Sequence, residues 1–257
     1  MRQMITIVSL VAATVCGAAP PLIPEEKPPR HLIVFYDISR SVAEDEEKAG
    51  EDDLTQLFDR VPGGTELVFI PICANTDGAP QTSWTVEPLE GITPRHKQED
   101  AIKRNRKKAE VLAKMRALRA TAAARSRYSS CVSPALRRVE SFVSTPEEAS
   151  LTDVLFISDM IEECEDSLLS NPTSMLDEHF RGALALVEEK STLLELPRGL
   201  HVYVFRPHAV TTAAGKPHHP PAGQLEQFWR KLFDRCGIHQ LRWNFDIDRY
   251  LKTLVPR

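Results

Sequence analysis

Two apolar runs of strand length constrain this chain more than any other feature. Leu32–Tyr36 carries no polar residue and stops at Asp37, and Asp153–Ser158, reading DVLFIS, stops at Asp159 in the same manner. A strand without polar alternation is one buried on both faces, the condition of strands inside a mostly parallel sheet. After the first run, Leu54, Leu57, Phe58 and Val61 recur at helical spacing, and Pro62-Gly63-Gly64 ends that helix. Glu66–Ile72 reads as a second strand, and Ser83–Leu89 as a short third with Trp84 and Val86 on one face. His201–Phe205 is another strand, and Leu241–Phe245 a last one following the amphipathic helix Leu225–Cys236. Within that helix Phe228, Trp229, Leu232 and Phe233 form an apolar face suited to a core. The alternation predicts an α/β fold, doubly wound, with a mostly parallel six-stranded sheet flanked by helices. In such sheets ligands sit beyond the carboxyl ends of the strands, which is where the two aspartates fall.

The start of the chain bears on where the protein works. Met1, Arg2 and Gln3 are followed by the uncharged apolar stretch Met4–Val15 and by small residues at Cys16, Gly17, Ala18 and Ala19. A dozen apolar residues is short of the roughly twenty a spanning helix needs, so residues 1–19 are expected to be an export signal. It is read either as a leader cleaved after Ala18 or as a lipoprotein signal that lipidates Cys16. Residues 20–30 hold the five-proline segment PPLIPEEKPP, which neither helix nor central strand accommodates; an extended tether is expected there. Residues 31–257 would then form the folded domain. The expected location is extracytoplasmic, in a periplasm or secreted.

Chemistry is concentrated around the two aspartates. In HLIVFYDISRS, Asp37, Ser39 and Ser41 place a carboxylate and two hydroxyls at alternate positions just past a strand. Oxygen donors of this kind suit a hard cation, Mg2+ or Mn2+, better than zinc or copper. VLFISDMIEEC supplies Asp159, and YSSCVSPALRRV opens a helix with Ser130 just upstream. Together these segments resemble the von Willebrand factor A (vWA) family, whose metal-ion-dependent adhesion site (MIDAS) combines D-x-S-x-S with a distant Thr and an Asp after the fourth strand. The resemblance runs over about residues 31–250, strongly in the first strand and VLFISDMIEEC and weakly between 75 and 125. It implies metal ligands Asp37, Ser39, Ser41, Ser130 and Asp159, with one coordination position left for a partner's carboxylate. In the Thr slot this chain has Ser130, with Ser129 one step away; the hydroxyl oxygen is of the same type.

Of the five cysteines, Cys16 belongs to the leader or anchor, leaving Cys73, Cys131, Cys164 and Cys236. No C-x-x-C pair or Cys/His cluster of zinc spacing occurs. Cys131 adjoins Ser130 and Cys164 lies just past Asp159, so a Cys131–Cys164 disulfide would tie the two metal-bearing loops together. Cys73 also ends a strand on that side and is an alternative partner. Cys236 precedes a strand and is expected at the opposite end, free.

One segment departs from the acidic balance of the whole. Residues 95–127 hold twelve Lys or Arg against three acids, in a chain whose net charge is −4. Val111, Leu112, Met115 and Leu118 give it a narrow apolar stripe, so a long helix inserted in the domain is expected. Its basic side faces either water or an anionic partner such as lipid headgroups or an acidic protein. Nucleic acid is not expected, since no aromatic residues are interleaved with the charges.

Enzyme signatures are missing. No G-x-S-x-G and no G-x-x-x-x-G-K-[ST] is present. A haloacid-dehalogenase-type phosphatase needs a second aspartate where this chain has Ser39, so its general acid and base is absent. His218 and His219 lie in a Pro-rich loop and read as solvated. The expectation is therefore an exported, non-enzymatic, metal-dependent protein-binding module. A metal-free scaffold docking through the basic helix is the alternative, and a metal-dependent hydrolase a minority reading.

Overall fold

A computed structural model describes residues 30–38, 44–87, 93–124, 130–161, 194–207 and 222–254. The expected signal of residues 1–19, the expected tether of residues 20–30 except Arg30, and Ser39, Ser41, Ser129, Cys164 and the His218–His219 loop lie outside these. Among the described residues the strands are β1 (His31–Asp37), β2 (Glu66–Ile72), β3 (Thr82–Thr85), β4 (Thr152–Ile157), β5 (His201–Phe205) and β6 (Gln240–Arg242). The helices are α1 (Glu44–Arg60), α2 (Pro94–Ala124), α3 (Ala135–Glu140), α4 (Pro146–Ser150), α5 (Ala222–Arg235) and α6 (Ile247–Leu254).

The strands form one six-stranded sheet in the order β3-β2-β1-β4-β5-β6. Every pairing is parallel except β2 with the edge strand β3. This is the doubly wound arrangement, and strand order reverses between β1 and β4. Those two strands are in register, with Tyr36 opposite Ile157.

The apolar runs are continuous because each face of the sheet has its own core. Ile33, Phe35, Val154, Phe156, Val202 and Val204 pack on one side, against α3 and α5. Leu32, Val34, Leu67, Phe69 and Leu155 pack on the other, against α1, α2 and α6. Phe228, Trp229, Leu232 and Phe233 of α5 are all buried. Burial of such side chains, each worth about 1.5–3 kcal/mol, holds the helices on the sheet.

The edges differ from the sequence reading in instructive ways. β3 is shorter than Ser83–Leu89, but Thr82, Trp84 and Val86 do face inward, and Trp84 stacks on Phe58 at 5.5 Å. β6 stops at Arg242 because Trp243 and Asn244 turn the chain, Asn244 having φ 50°, a conformation that asparagine tolerates. Phe245 still donates its N–H to Val204 at 2.9 Å.

The described part of the basic segment, residues 95–124, lies in α2, a single 31-residue helix. Its stripe is used as a packing face, with Val111 and Met115 buried and Leu112 and Leu118 packed against them. Arg104, buried at 8% exposure, donates to the carbonyls of Phe58 at 3.0 Å and Val61 at 2.8 Å. It thereby satisfies acceptors at the end of α1 that have no helical partner. Lys108, Arg116 and Arg119 pair with Asp59, Glu51 and Glu47 of α1. Part of the positive charge of α2 is thus matched by the acidic helix beside it.

Candidate metal centre

At the strand ends where the order reverses, Asp37 and Asp159 line one cavity of about 20 Å³ together with Tyr36, Gly50, Ser158 and Arg206. That is room for one water or a bare cation, where a single water requires roughly 10–15 Å³. Both aspartates are buried, each 3% exposed. The structure thus brings the two acidic residues to the wall of one cavity.

Hydrogen bonds fix both carboxylates. Ser158 donates from Oγ to Asp37 Oδ2 at 2.7 Å and accepts from the N–H of Met160 at 2.9 Å. Asp159 accepts the N–H of Ile161 through Oδ1 at 2.9 Å. The chain past β4 thus makes a tight turn, in which Met160 has φ 61° and its carbonyl receives the indole N–H of Trp229 at 2.8 Å. Gly50 lets α1 approach this close, because a Cβ there would meet Ile157 and Tyr36 at 3.2 Å each.

Ser130, fully buried, donates to the carbonyl of Ile161 at 2.6 Å. It therefore braces the loop that carries Asp159, but it stands outside the lining of the cavity. Its lone pairs remain of the type a hard cation accepts. Cys131 next to it donates its N–H to Cys73 at 3.1 Å, so the ends of β2 and β4 are stitched through this segment. Cys131 is disulfide-bonded, whereas Cys73 and Cys236 are free. The alternative pairing through Cys73 is thereby corrected: Cys73 is half-buried and a thiol, and burial pushes its pKa up. The expected partner Cys164 lies outside the described residues, as do Ser39 and Ser41 of the D-x-S-x-S motif.

Three further residues at this rim were not singled out from the sequence. Ser158 reads there simply as the last residue of a strand, and Tyr36 as one of its apolar members. Tyr36 sits against the cavity with its hydroxyl pushed up to about 12, first by burial and then by Glu51. Arg206 follows β5 and holds the buried Asp53 of α1 in a two-pronged ion pair, Nε to Oδ2 at 2.5 Å and Nη2 to Oδ1 at 3.0 Å. Burial raises the Asp53 carboxyl, with Arg206 pulling against that rise. Nothing in the sequence links residues so far apart.

The donor set fits a hard cation in kind, since two buried carboxylates lining one small cavity are stabilised by positive charge between them. Among the described residues, no group of three or more His, Cys, Asp or Glu forms a metal cluster. A D-x-S-x-S site would take its remaining donors from hydroxyls. No helix among the described residues is long and apolar enough to cross a membrane.

No family model matches the chain, and no curated protein matches it in sequence. Among solved structures it is similar to the pilus adhesin SpaC from Lactobacillus rhamnosus GG in its open conformation, with 8% identity and a TM-score of 0.40. That match covers 90% of this chain but spans only 29% of the adhesin's.

Proposed function

We propose that this protein is an exported, vWA-like protein-binding module that holds Mg2+ or Mn2+ at the β1/β4 strand ends and accepts a partner's carboxylate there. One observation carries the reading: Asp37 and Asp159, from strands far apart in the chain, line the same small cavity at the point where strand order reverses. Open α/β sheets bind ligands at that crevice, and the oxygen donors favour a hard cation. Asp37 and Asp159 would hold the ion with Ser39 and Ser41, while Ser130 holds the Asp159 loop or contributes its own oxygen. A divalent metal with only two carboxylate ligands is formally neutral, so an incoming acid meets no net negative charge and can still be drawn to the open coordination position. In this reading the protein is a binding module and not an enzyme. The Cys131 disulfide, proposed to reach Cys164, would limit motion of the rim, and an oxidising compartment agrees with it.

Calorimetric titration of the full chain with Mg2+ and Mn2+ tests this. Heat of binding is expected for the native chain and is expected to vanish in Asp37→Ala and Asp159→Ala, with circular dichroism unchanged. Absence of binding to the native chain would favour a metal-free scaffold.

A further inference from the structure

Arg206 lines the same cavity as Asp37 and Asp159. Its side chain is 45% exposed, whereas that of Asp53, which grips it, is 3% exposed. The grip occupies Nε and Nη2. Among the described residues Nη1 has no hydrogen-bond partner. Arginine's fork is planar and rigid, so clamping two of its nitrogens aims the third. Arg206 also has φ 56°, a left-handed conformation that residues with a Cβ seldom adopt. Among the described residues only three non-glycine positions have positive φ, and two of them, Met160 and Arg206, flank this rim. Unusual backbone held in place by its surroundings concentrates at ligand sites. An arginine serving only to neutralise Asp53 would need neither the exposed position nor a place on the cavity wall.

We propose that Arg206 is a second anchor for the partner's acidic group: one carboxylate oxygen binds the metal and the other accepts a hydrogen bond from Arg206 Nη1. This rests on the metal-dependent reading above and deepens it. The occupant would be a carboxylate, as in an Asp or Glu side chain, whose two coplanar oxygens can meet both anchors at once. A neutral amide would satisfy the metal less well and gain no charge-assisted bond from the guanidinium.

Acetate and acetamide serve as probes, with the full chain loaded with Mn2+ and water-proton relaxation reporting displacement of metal-bound water. Acetate is expected to displace water at lower concentration than acetamide. Arg206→Gln should weaken acetate by about tenfold, the size of one charge-assisted hydrogen bond, while Mn2+ affinity holds or tightens because a nearby positive charge is gone. Arg206→Gln leaves Asp53 buried without its partner, so Asp53→Asn/Arg206→Gln is measured beside it and should show the same loss on a neutral pair. Asp53→Asn alone keeps the guanidinium and should lose less acetate affinity than Arg206→Gln. Unchanged acetate binding in Arg206→Gln would overturn the anchor while leaving the metal site standing. Equal losses in Arg206→Gln and Asp53→Asn would reduce the pair to a structural role. Failure of the native chain to bind Mn2+ would remove both readings together.

Discussion

Ser158 Oγ bridges the ends of β1 and β4, donating to Asp37 Oδ2 at 2.7 Å while accepting the Met160 N–H at 2.9 Å. One hydroxyl therefore sets both the direction of the first carboxylate and the turn that delivers the second. Ser158→Ala should weaken Mn2+ binding by about 10-fold, as loss of groups that orient metal ligands does. It should also lower stability by roughly 1–3 kcal/mol, because a buried carboxylate loses a donor. Calorimetric titration and urea unfolding of the same variant separate the two effects. Native metal affinity in the variant would mean that Asp37 is oriented by other contacts.

At Gly50, α1 comes close to both aspartate-bearing strands. A Cβ at this position lies 3.2 Å from Ile157 Cγ2 and 3.2 Å from Tyr36 Cε2. Gly50→Val adds two methyl groups to that contact, so overpacking should destabilise the fold by about 1–3 kcal/mol and push α1 off the cavity wall. Thermal unfolding and Mn2+ titration check this. A variant as stable as the native chain would show that α1 shifts freely.

High pH should unfold the protein through groups kept neutral by burial. The Cys236 thiol, ordinarily ionising near 9.0, is pushed up to about 11 by burial. Between those values the unfolded chain releases a proton that the native chain retains, so stability falls as pH rises, by about 1.4 kcal/mol per pH unit for this one group. Tyr250, fully buried with its hydroxyl on Asp153 Oδ2 at 2.9 Å, is raised well above 10.0, first by burial. Its share is complete below pH 10 and is lost above. Urea midpoints are expected to hold up to about pH 9 and then decline, and Cys236→Ala should flatten the first part of the decline. A midpoint that rises above pH 9 would contradict this.

How much could be read in advance follows from how local each signal is. β1, β2, β4 and β5 were legible because strands covered on both faces need no polar alternation, and Asp37 and Asp159 stood out because each ends such a run. α6 was missed although Ile247, Tyr250, Leu251 and Leu254 recur at helical spacing and are all buried. Its start is marked by Asp246 Oδ1, which accepts the Arg249 N–H at 2.9 Å, a signal the sequence does carry. The Thr145–Glu148 capping box of α4 was equally available. Ser158 and Arg206 were not, because their roles depend on neighbours across the sheet or on another helix. The apolar stripe of the basic helix is legible as a packing face, yet the acids of α1 that meet its basic side could not be assigned without the pairing of α1 with α2.

That pairing makes a sharp contrast between two arginines of α2. Arg104 is buried, ion-paired to Asp100 at 2.6 Å, and donates to two carbonyls at the end of α1. Arg116 holds Glu51 at the surface with its side chain 62% exposed. Arg104→Ala would leave Phe58 and Val61 carbonyls without a donor and the Asp100 carboxylate without its cation, so a loss of roughly 2–4 kcal/mol is expected. Arg116→Ala removes a solvent-screened pair and should change stability by about 0–1 kcal/mol. Urea unfolding at low and high salt distinguishes them, since the Arg104 effect should persist in salt while the small Arg116 effect fades. Equal effects of the two substitutions would mean that α2 is held on α1 by general charge attraction. The unequal effects expected instead would mean that it is held by its apolar stripe and one buried guanidinium.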